Sequence, residues 1–344
     1  MGLGKKVRLI GTLILIMIVK LAFTQDLIYS QFYNAPGYLN PALNGQFEGD
    51  LRLNLIYRSQ WTKAPGALNN YTFSADYQVP DFGGGVGLII NKSSEGTAYL
   101  SKLNIAGVYS YSVELQNSTL SFGLQTGLTN RRIDYDRLVF SDQIDAGGII
   151  PGGGTDATIP VFNNRYFFDA GAGINFVTDN FMIGLSTQHL NKPNETLTGT
   201  TSILPIRYGG YLSYLINIDQ FDEFNTKAII PSIVYYKQGK ITSYSAGAQF
   251  KMNAVNLGVW YRGTVKQHDA VVISVIFDLF KNAESYSKGR VGASYDVTLS
   301  GNSFTNTGGT TEGAMIFETE FPGRAQSRYE RMRNARFNRC YKFY

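Results

Sequence analysis

The chain has 344 residues, a formal net charge of +5, 23 Tyr, 22 Phe, 37 Gly and a single cysteine, Cys340, which excludes an internal disulfide framework and a Cys-rich metal site. After residue 24 there is no apolar run of roughly 18 residues, so a membrane-spanning helix is excluded as well. The many aromatic residues and glycines fit the girdles and small lumen-facing side chains of a spanning β-barrel, but a soluble β-sandwich tolerates them too, so strand length and loop asymmetry must decide.

Residues 1–24 read as an export signal. Lys5, Lys6 and Arg8 form a positive start, and Leu9 to Val19 form a short apolar run interrupted only by Gly11 and Thr12. This run is well short of the roughly 20 residues a spanning helix needs. Ala22-Phe23-Thr24 offers small residues at both positions a signal peptidase reads, which places cleavage before Gln25, and no cysteine near the cut points to a lipoprotein anchor. Without Lys5, Lys6, Arg8 and Lys20 the charge falls to +1, and it is unevenly spread: residues 324–344 carry +6 and the stretch between about −5.

Residues 25–48 form a periplasmic N-terminal segment. Within it, SQFYNAPGYLNPALNG at 30–45 contains Ala35-Pro36 and Asn40-Pro41, each of which biases the residue before proline toward extended or turn conformations. The stretch reads as neither helix nor strand. Its aromatics, Phe32, Tyr33 and Tyr38, need a surface, and the periplasmic mouth of a barrel is the nearest.

Residues 49–323 carry about fourteen segments of period-two alternation, near 50–60, 70–79, 84–93, 99–113, 118–130, 164–177, 180–190, 205–217, 226–238, 241–251, 254–263, 268–280, 288–299 and 313–321. Most match the roughly 9–11 residues of a tilted spanning strand, and an even number brings both barrel ends out on one side. The fold expected is therefore all-β: a transmembrane antiparallel barrel. Leu51, Leu53, Leu55 and Tyr57 alternate with Arg52, Asn54 and Arg58, and Tyr71, Phe73, Ala75 and Tyr77 with Thr72, Ser74, Asp76 and Gln78. A charge facing lipid at mid-bilayer costs about 2–4 kcal/mol, so the charged set is the lumen. Segments 84–93 and 226–238 alternate poorly, and Pro231 is awkward inside a central strand.

Short turns at 80–83, 113–117, 178–180 and 251–254 oppose long loops at 130–163, 190–204 and 299–312. Short turns are periplasmic in bacterial barrels, which puts both termini, and the basic tail at 324–344, in the periplasm. In the lumen, Arg52, Arg58, Asp76, Asp169, Arg207, Arg262, Asp278, Arg290, Asp296 and Glu318 supply both signs of charge. A mixed set forms cross-bracing ion pairs more readily than a selective constriction, and favours a braced, partly plugged lumen over an open pore.

Few residues point to chemistry, and no catalytic, cofactor-binding or metal-binding residue is assigned. His189 and His268 map near the extracellular rim, and Ser186, three residues before His189, faces the opposite side of a strand. Asp134, Asp136, Asp142, Asp145 and Asp156 in the longest loop match no defined calcium spacing, so a solvated acidic loop or a protein contact is the better reading. The tail shows no amphipathic stripe, and its periplasmic position excludes nucleic acid. It reads either as a docking segment for an acidic partner, through Arg328, Arg331, Arg333 and Arg336, or as a solvated end. Cys340 is open to an intermolecular bridge.

The run YSQFYNAPGYLNPALNGQFEGDLRLNLIYRSQW at 29–61 closely resembles the N-terminal hallmark of the PorP/SprF membrane proteins of the type IX secretion system of Bacteroidetes. Weaker resemblances follow in order at Phe140–Gln143, Phe168–Gly173, Leu257–Arg262 and Ser294–Ser300. The resemblance implies a non-enzymatic outer-membrane barrel of the secretion and gliding machinery, working with periplasmic lipoproteins and a peptidoglycan-binding protein in the export or surface anchoring of large adhesins. It brings forward Tyr33, Asn34, Pro36, Tyr38, Asn40 and Pro41 as a periplasmic plug or dock. A passive porin for small solutes is the alternative, with a lipid-modifying barrel enzyme behind it.

Overall fold

The computed structural model describes residues 26–63, 66–79, 83–96, 100–134, 138–139, 143–145, 148–149, 164–197, 201–218, 227–265, 267–282, 287–299, 307–321 and 339–343. The expected leader, Arg328, Arg331, Arg333 and Arg336 of the tail, and Asp136, Asp142 and Asp156 of the longest loop lie outside the described residues.

Fourteen strands close one antiparallel sheet: β1 (Leu51–Gln60), β2 (Leu68–Val79), β3 (Gly84–Glu95), β4 (Leu100–Leu115), β5 (Ser118–Ile133), β6 (Asn164–Thr178), β7 (Phe181–Gln188), β8 (Arg207–Tyr214, resumed at Ile216–Asn217), β9 (Lys227–Gln238), β10 (Ile241–Met252), β11 (Val255–Gly263), β12 (His268–Asn282), β13 (Ser287–Thr298) and β14 (Thr310–Thr319). Each pairs with its sequence neighbours, and β1 meets β14 from Leu51↔Thr319 to Gln60↔Thr310, which leaves no free edge. Among the described residues no helix is long and apolar enough to cross a membrane. The crossing elements are the strands.

Alternation places side chains as their chemistry requires. Leu55, Tyr57, Tyr71, Phe73, Leu124, Val259, Ile273 and Met315 lie on the outer surface, the face a bilayer covers, while Arg52, Asn54, Arg58, Thr72, Ser74 and Asp76 are buried inside. The inner wall is itself divided. Residues from β1, β2, β13 and β14 make a charged half, whereas Val177, Met182, Tyr211, Ala228, Ile230, Val234, Trp260, Val272 and Ile276 make an apolar half. This explains the weak alternation of β9, where both faces are apolar because the inner one meets protein and not water. Pro231 is also accommodated. The β8–β9 ladder breaks between Ser213↔Ser232 and Ile216↔Ile229, and the Leu215 N–H turns to the Asn180 carbonyl at 2.8 Å.

The lumen is filled by the chain's own N-terminal segment. Residues 29–47 are buried almost throughout. The segment has short helical turns where neither helix nor strand was expected: 3-10 turns at Phe32–Asn34 and Pro41–Leu43, and a single α-turn, α1 (Pro36–Leu39). Inside a closed barrel there is no strand edge to pair with, so backbone groups must be satisfied locally. Pro36 and Pro41 occupy first-turn positions where an N–H is not required, and Asn40 Oδ1 caps the second 3-10 turn by accepting from Ala42 N at 2.9 Å.

The path of this segment differs from the mouth position expected. The β1 start and β14 end share the end of the barrel that carries the short turns 116–117, 179–180 and 253–254, where Asp50 N bonds the Thr319 carbonyl at 2.9 Å. Asp26, however, sits at the opposite end, that of the long connections 134–163, 189–206 and 299–309, beside Lys102, His189 and Gln238. Residues 26–49 therefore run the length of the lumen. From the short-turn end a 3-10 turn, Arg339–Phe343, enters as well, burying Cys340 and Phe343 in the apolar half.

Candidate functional site

Of the charges assigned to the lumen, Arg52, Arg58, Asp76, Arg207, Arg262, Arg290, Asp296 and Glu318 are buried and Asp169 and Asp278 half-buried, and several of them hold the segment that fills the barrel. Near the long-loop end Arg58 reaches Glu312 Oε2 at 3.0 Å and Asp296 Oδ2 at 3.1 Å, while Arg262 reaches Asp296 at 2.9 Å and Asp269 at 2.5 Å. Into this lattice the segment inserts its backbone: Ser30 N and Gln31 N donate to the two Glu312 oxygens at 2.9 and 2.8 Å, and Ser30 Oγ donates to Asp296 at 2.7 Å. Glu312 was missed because the last strand was started three residues too late; the strand begins at Thr310 and turns Glu312 inward. Glu312 and Asp296 each have a cationic partner and a segment donor, the condition under which a buried charge is tolerated.

A second cluster grips the start of the segment. Asp26 Oδ2 meets His189 Nε2 at 2.5 Å, its Oδ1 meets Lys102 at 3.2 Å, and its backbone N–H donates to Gln238 Oε1 at 3.0 Å. The other ring nitrogen of His189 faces Asp169 at 2.9 Å. Burial by itself lowers the histidine pKa, but the two carboxylates outweigh it and push it up to about 9. Burial likewise works to raise the Asp26 pKa, and Lys102 and His189 reverse this, holding the carboxyl well below the usual range. His189 was expected at the rim with Ser186 on the opposite face. Both are instead buried, because His189 lies one residue past the end of β7 at φ +59°, where the strand's alternation no longer applies. Ser186 Oγ donates to the Leu39 carbonyl at 2.9 Å. His268 is exposed at the start of β12 against Tyr261, as a rim residue should be.

Between the clusters the contacts are mainly apolar. Phe32 packs edge-on to Trp260 with centroids 5.0 Å apart, and Tyr33 donates to Ser274 Oγ at 2.8 Å. Burying side chains such as Phe32, Leu39 and Leu43 contributes about 1.5–3 kcal/mol each. Asn40 Nδ2 donates to the Ile174 and Leu185 carbonyls at 3.0 and 3.2 Å, reaching the wall backbone itself. Tyr38 donates to the Leu27 carbonyl at 2.8 Å, and Arg207 joins Tyr38, Gln188 and Leu27 while stacking on Tyr236. Lower down, Arg52 holds Asp76 at 2.7 Å and the Leu43 carbonyl at 3.2 Å, and Gly45 N donates to Asp76 at 2.8 Å. Arg290 pairs with Asp278 at 3.0 Å, and Glu318 lies opposite Arg52 in the β1–β14 register.

Of the residues expected as a plug or dock, Tyr33, Asn34, Pro36, Asn40 and Pro41 are buried and Tyr38 is half-buried, all against the barrel's own wall. Cys340 is enclosed with Asn175 Nδ2 3.2 Å from its Sγ, and burial pushes the thiol up to about 12, so an intermolecular bridge does not form without withdrawal of the chain end. Two cavities, of about 100 and 490 Å³, flank Asp26 and Leu27 at the long-loop end. Among the described residues no group of His, Cys, Asp and Glu side chains is arranged to hold a metal ion.

A closed, outward-apolar barrel whose lumen is occupied by its own N-terminal segment is an outer-membrane protein by construction: closed sheets satisfy every backbone group within a bilayer. The family model described as type IX secretion system membrane protein PorP/SprF matches residues 21–315, and the chain belongs to that family. It is accordingly an outer-membrane component of that system. Solved structures similar to it include the Acinetobacter baumannii outer membrane protein Omp33 (7% identity, 79% of this chain and 98% of that one, TM-score 0.42). The CymD monoaromatic hydrocarbon channel (13%, 83% and 93%, 0.46) and the Pseudomonas putida toluene transporter TodX (13%, 86% and 94%, 0.43) are similar as well. No curated protein matches the chain.

Proposed function

We propose that this protein is a non-catalytic, plugged barrel that supports export or surface anchoring of adhesins through periplasmic partners of the type IX machinery. Its short-turn end faces the periplasm and its long loops face outward, the arrangement usual in bacterial barrels. The observation that carries this reading over a passive porin is the filled lumen. The segment at 26–47 is tied to the wall by the ion pairs of Asp26 at one end, by hydrogen bonds of the Leu43 carbonyl and Gly45 N–H to Arg52 and Asp76 at the other, and by apolar packing between, which fits an anchor better than a solute path.

The partners on the periplasmic side are lipoproteins and a peptidoglycan-binding protein, with outer-membrane lipid around the barrel. Arg328, Arg331, Arg333 and Arg336 offer them a basic docking segment, which begins and ends near the short-turn end because Phe321 N bonds Asp50 at 2.9 Å and Lys342 meets Asp179 at 3.1 Å. Tyr33, Asn34, Pro36, Tyr38, Asn40 and Pro41 act as the plug that keeps this end rigid.

Affinity purification from detergent-solubilised outer membranes, followed by mass spectrometry, tests the reading. Co-purification of periplasmic lipoproteins, a peptidoglycan-binding protein or a giant surface protein is the result expected. Recovery of the barrel alone with a stable single-channel conductance would return the porin.

A further inference from the structure

Asp26 is gripped at the end of the lumen farthest from the strand that follows it in the chain. Its carboxylate and backbone N–H take ligands from Lys102 of β4, Gln238 of β9 and His189 just beyond β7. The next residue is held too, since the Leu27 carbonyl accepts from Arg207 of β8 and from Tyr38. All four wall residues come from the long-loop ends of their strands.

We infer that this cluster is the seat of the processed amino end, so that leader removal precedes closure of the lumen and the mature N-terminus is presented on the cell surface. The inference rests on the orientation proposed above. From Asp26 to Asp50 the chain crosses the barrel, a membrane core about 30 Å thick. Asp26 therefore lies at the opposite end of the barrel from the start of β1. A leader still attached would have to carry Lys5, Lys6, Arg8 and the apolar run from Leu9 to Val19 through the same lumen. Residues 29–47 are buried almost throughout against the wall, so a second pass of chain alongside them would have to displace side chains already packed there. Hydrolysis of the Thr24–Gln25 peptide bond by a signal peptidase, with water adding across it to leave a carboxylate and a free amine, removes the obstacle. The second residue of the new chain is then Asp26, and the cluster closes on it.

Labelling of intact cells with a membrane-impermeant maleimide tests this in a Cys340→Ser background. A Ser-Gly-Cys insertion between Thr24 and Gln25 carries the probe at the amino end, and Ala157→Cys in the longest loop and Asn180→Cys in a short turn report orientation. The expected result is labelling of the inserted cysteine from outside, as strong as that of Ala157→Cys, with Asn180→Cys reacting only after permeabilisation. If Ala157→Cys labels from outside and the inserted cysteine does not, the inference falls while the orientation stands. If Ala157→Cys itself requires permeabilisation, the orientation falls and the inference with it. Leader-retaining Ala22→Leu/Thr24→Tyr chains address the order of events. Any such chain reaching the outer membrane should show residues 26–47 open to protease, and full protection there would overturn the order. Where none reaches it, the labelling decides.

Discussion

Gly173 of β6 lies so close to Asn40 of the plug that a β-carbon on it would collide with the Asn40 carboxamide oxygen and its carbon. Gly123 of β5 meets the Pro41–Ala42 backbone in the same way, and Gly292 of β13 meets Gln31. These positions are glycine because the plug's polar groups reach the wall backbone directly: Asn40 spans the Ile174 and Leu185 carbonyls, which sit opposite each other between β6 and β7.

Gly173→Val should therefore expel the segment around Asn40 without preventing barrel closure, since its own strand pairing to Gly123 and Ser186 needs no side chain. Overpacking of this kind costs about 1–3 kcal/mol or more. In planar bilayers the wild-type protein should be silent and the variant should conduct. Silence of both, with protease still unable to reach residues 26–47, would show that the plug is not what closes the lumen.

Arg58 holds Glu312 and Asp296 together while the plug's Ser30 and Gln31 donate to the same carboxylates. Arg58→Met strands buried charge, a loss of about 3–5 kcal/mol for such a pair. Glu312→Gln in the same chain removes the orphaned charge and should recover part of the loss. Urea titration followed by protease cleavage within residues 26–47 reads both. Additive losses in the double variant would mean that the two residues act independently.

The barrel was legible in the sequence because alternation obeys a local rule, and strand limits fall within three residues of those read from it. The inward burial of Arg52, Arg58 and Asp76 follows from the same rule. Apart from the strand-end misses at His189 and Glu312, its failures share one cause: period two reports which face a residue takes, but not what covers that face. The wall of β9 looked irregular because Ala228, Ile230 and Val234 pack on protein. The depth of plug insertion was illegible for a related reason, since Asp26 finds partners 76, 163 and 212 residues away. Two signals were available. The glycines at 123, 173 and 292 face inward in their strands, and Phe32, Tyr33, Leu39 and Leu43 form an apolar set too large for a solvated lead-in.

Cys340 tests whether the chain end belongs inside the barrel. Burial raises its thiol to about 12, and Phe343 lies buried in the same apolar cluster. Folded protein in detergent should resist maleimide at pH 8 for hours, and denatured protein should react completely. Phe343→Ala removes an aromatic anchor worth about 3–5 kcal/mol and should expose the thiol without unfolding the strands. Rapid labelling of the folded wild type would place the tail outside.

His189 makes the seating of the plug depend on pH. Facing it are Asp26 from the plug and Asp169 from β6, with Lys102 of β4 paired to the same Asp26. A pKa raised from 6.5 to about 9 means that the imidazolium stabilises the seated state fully below pH 6.5 and loses that contribution as pH rises through 9. The contribution is on the order of 3 kcal/mol by linkage. Asp26, with a lowered pKa, acts in the other direction: its contribution is present above pH 3.8 and is lost as pH falls further. Protease access to the bond after Leu27 should accordingly be lowest near pH 5–6.5 and rise toward pH 9. His189→Asn keeps a donor toward Asp26 but cannot titrate, so its profile should be flat across that alkaline range and lie above that of the wild type at pH 6. An alkaline rise of equal size in the variant would remove His189 as the source of the pH dependence.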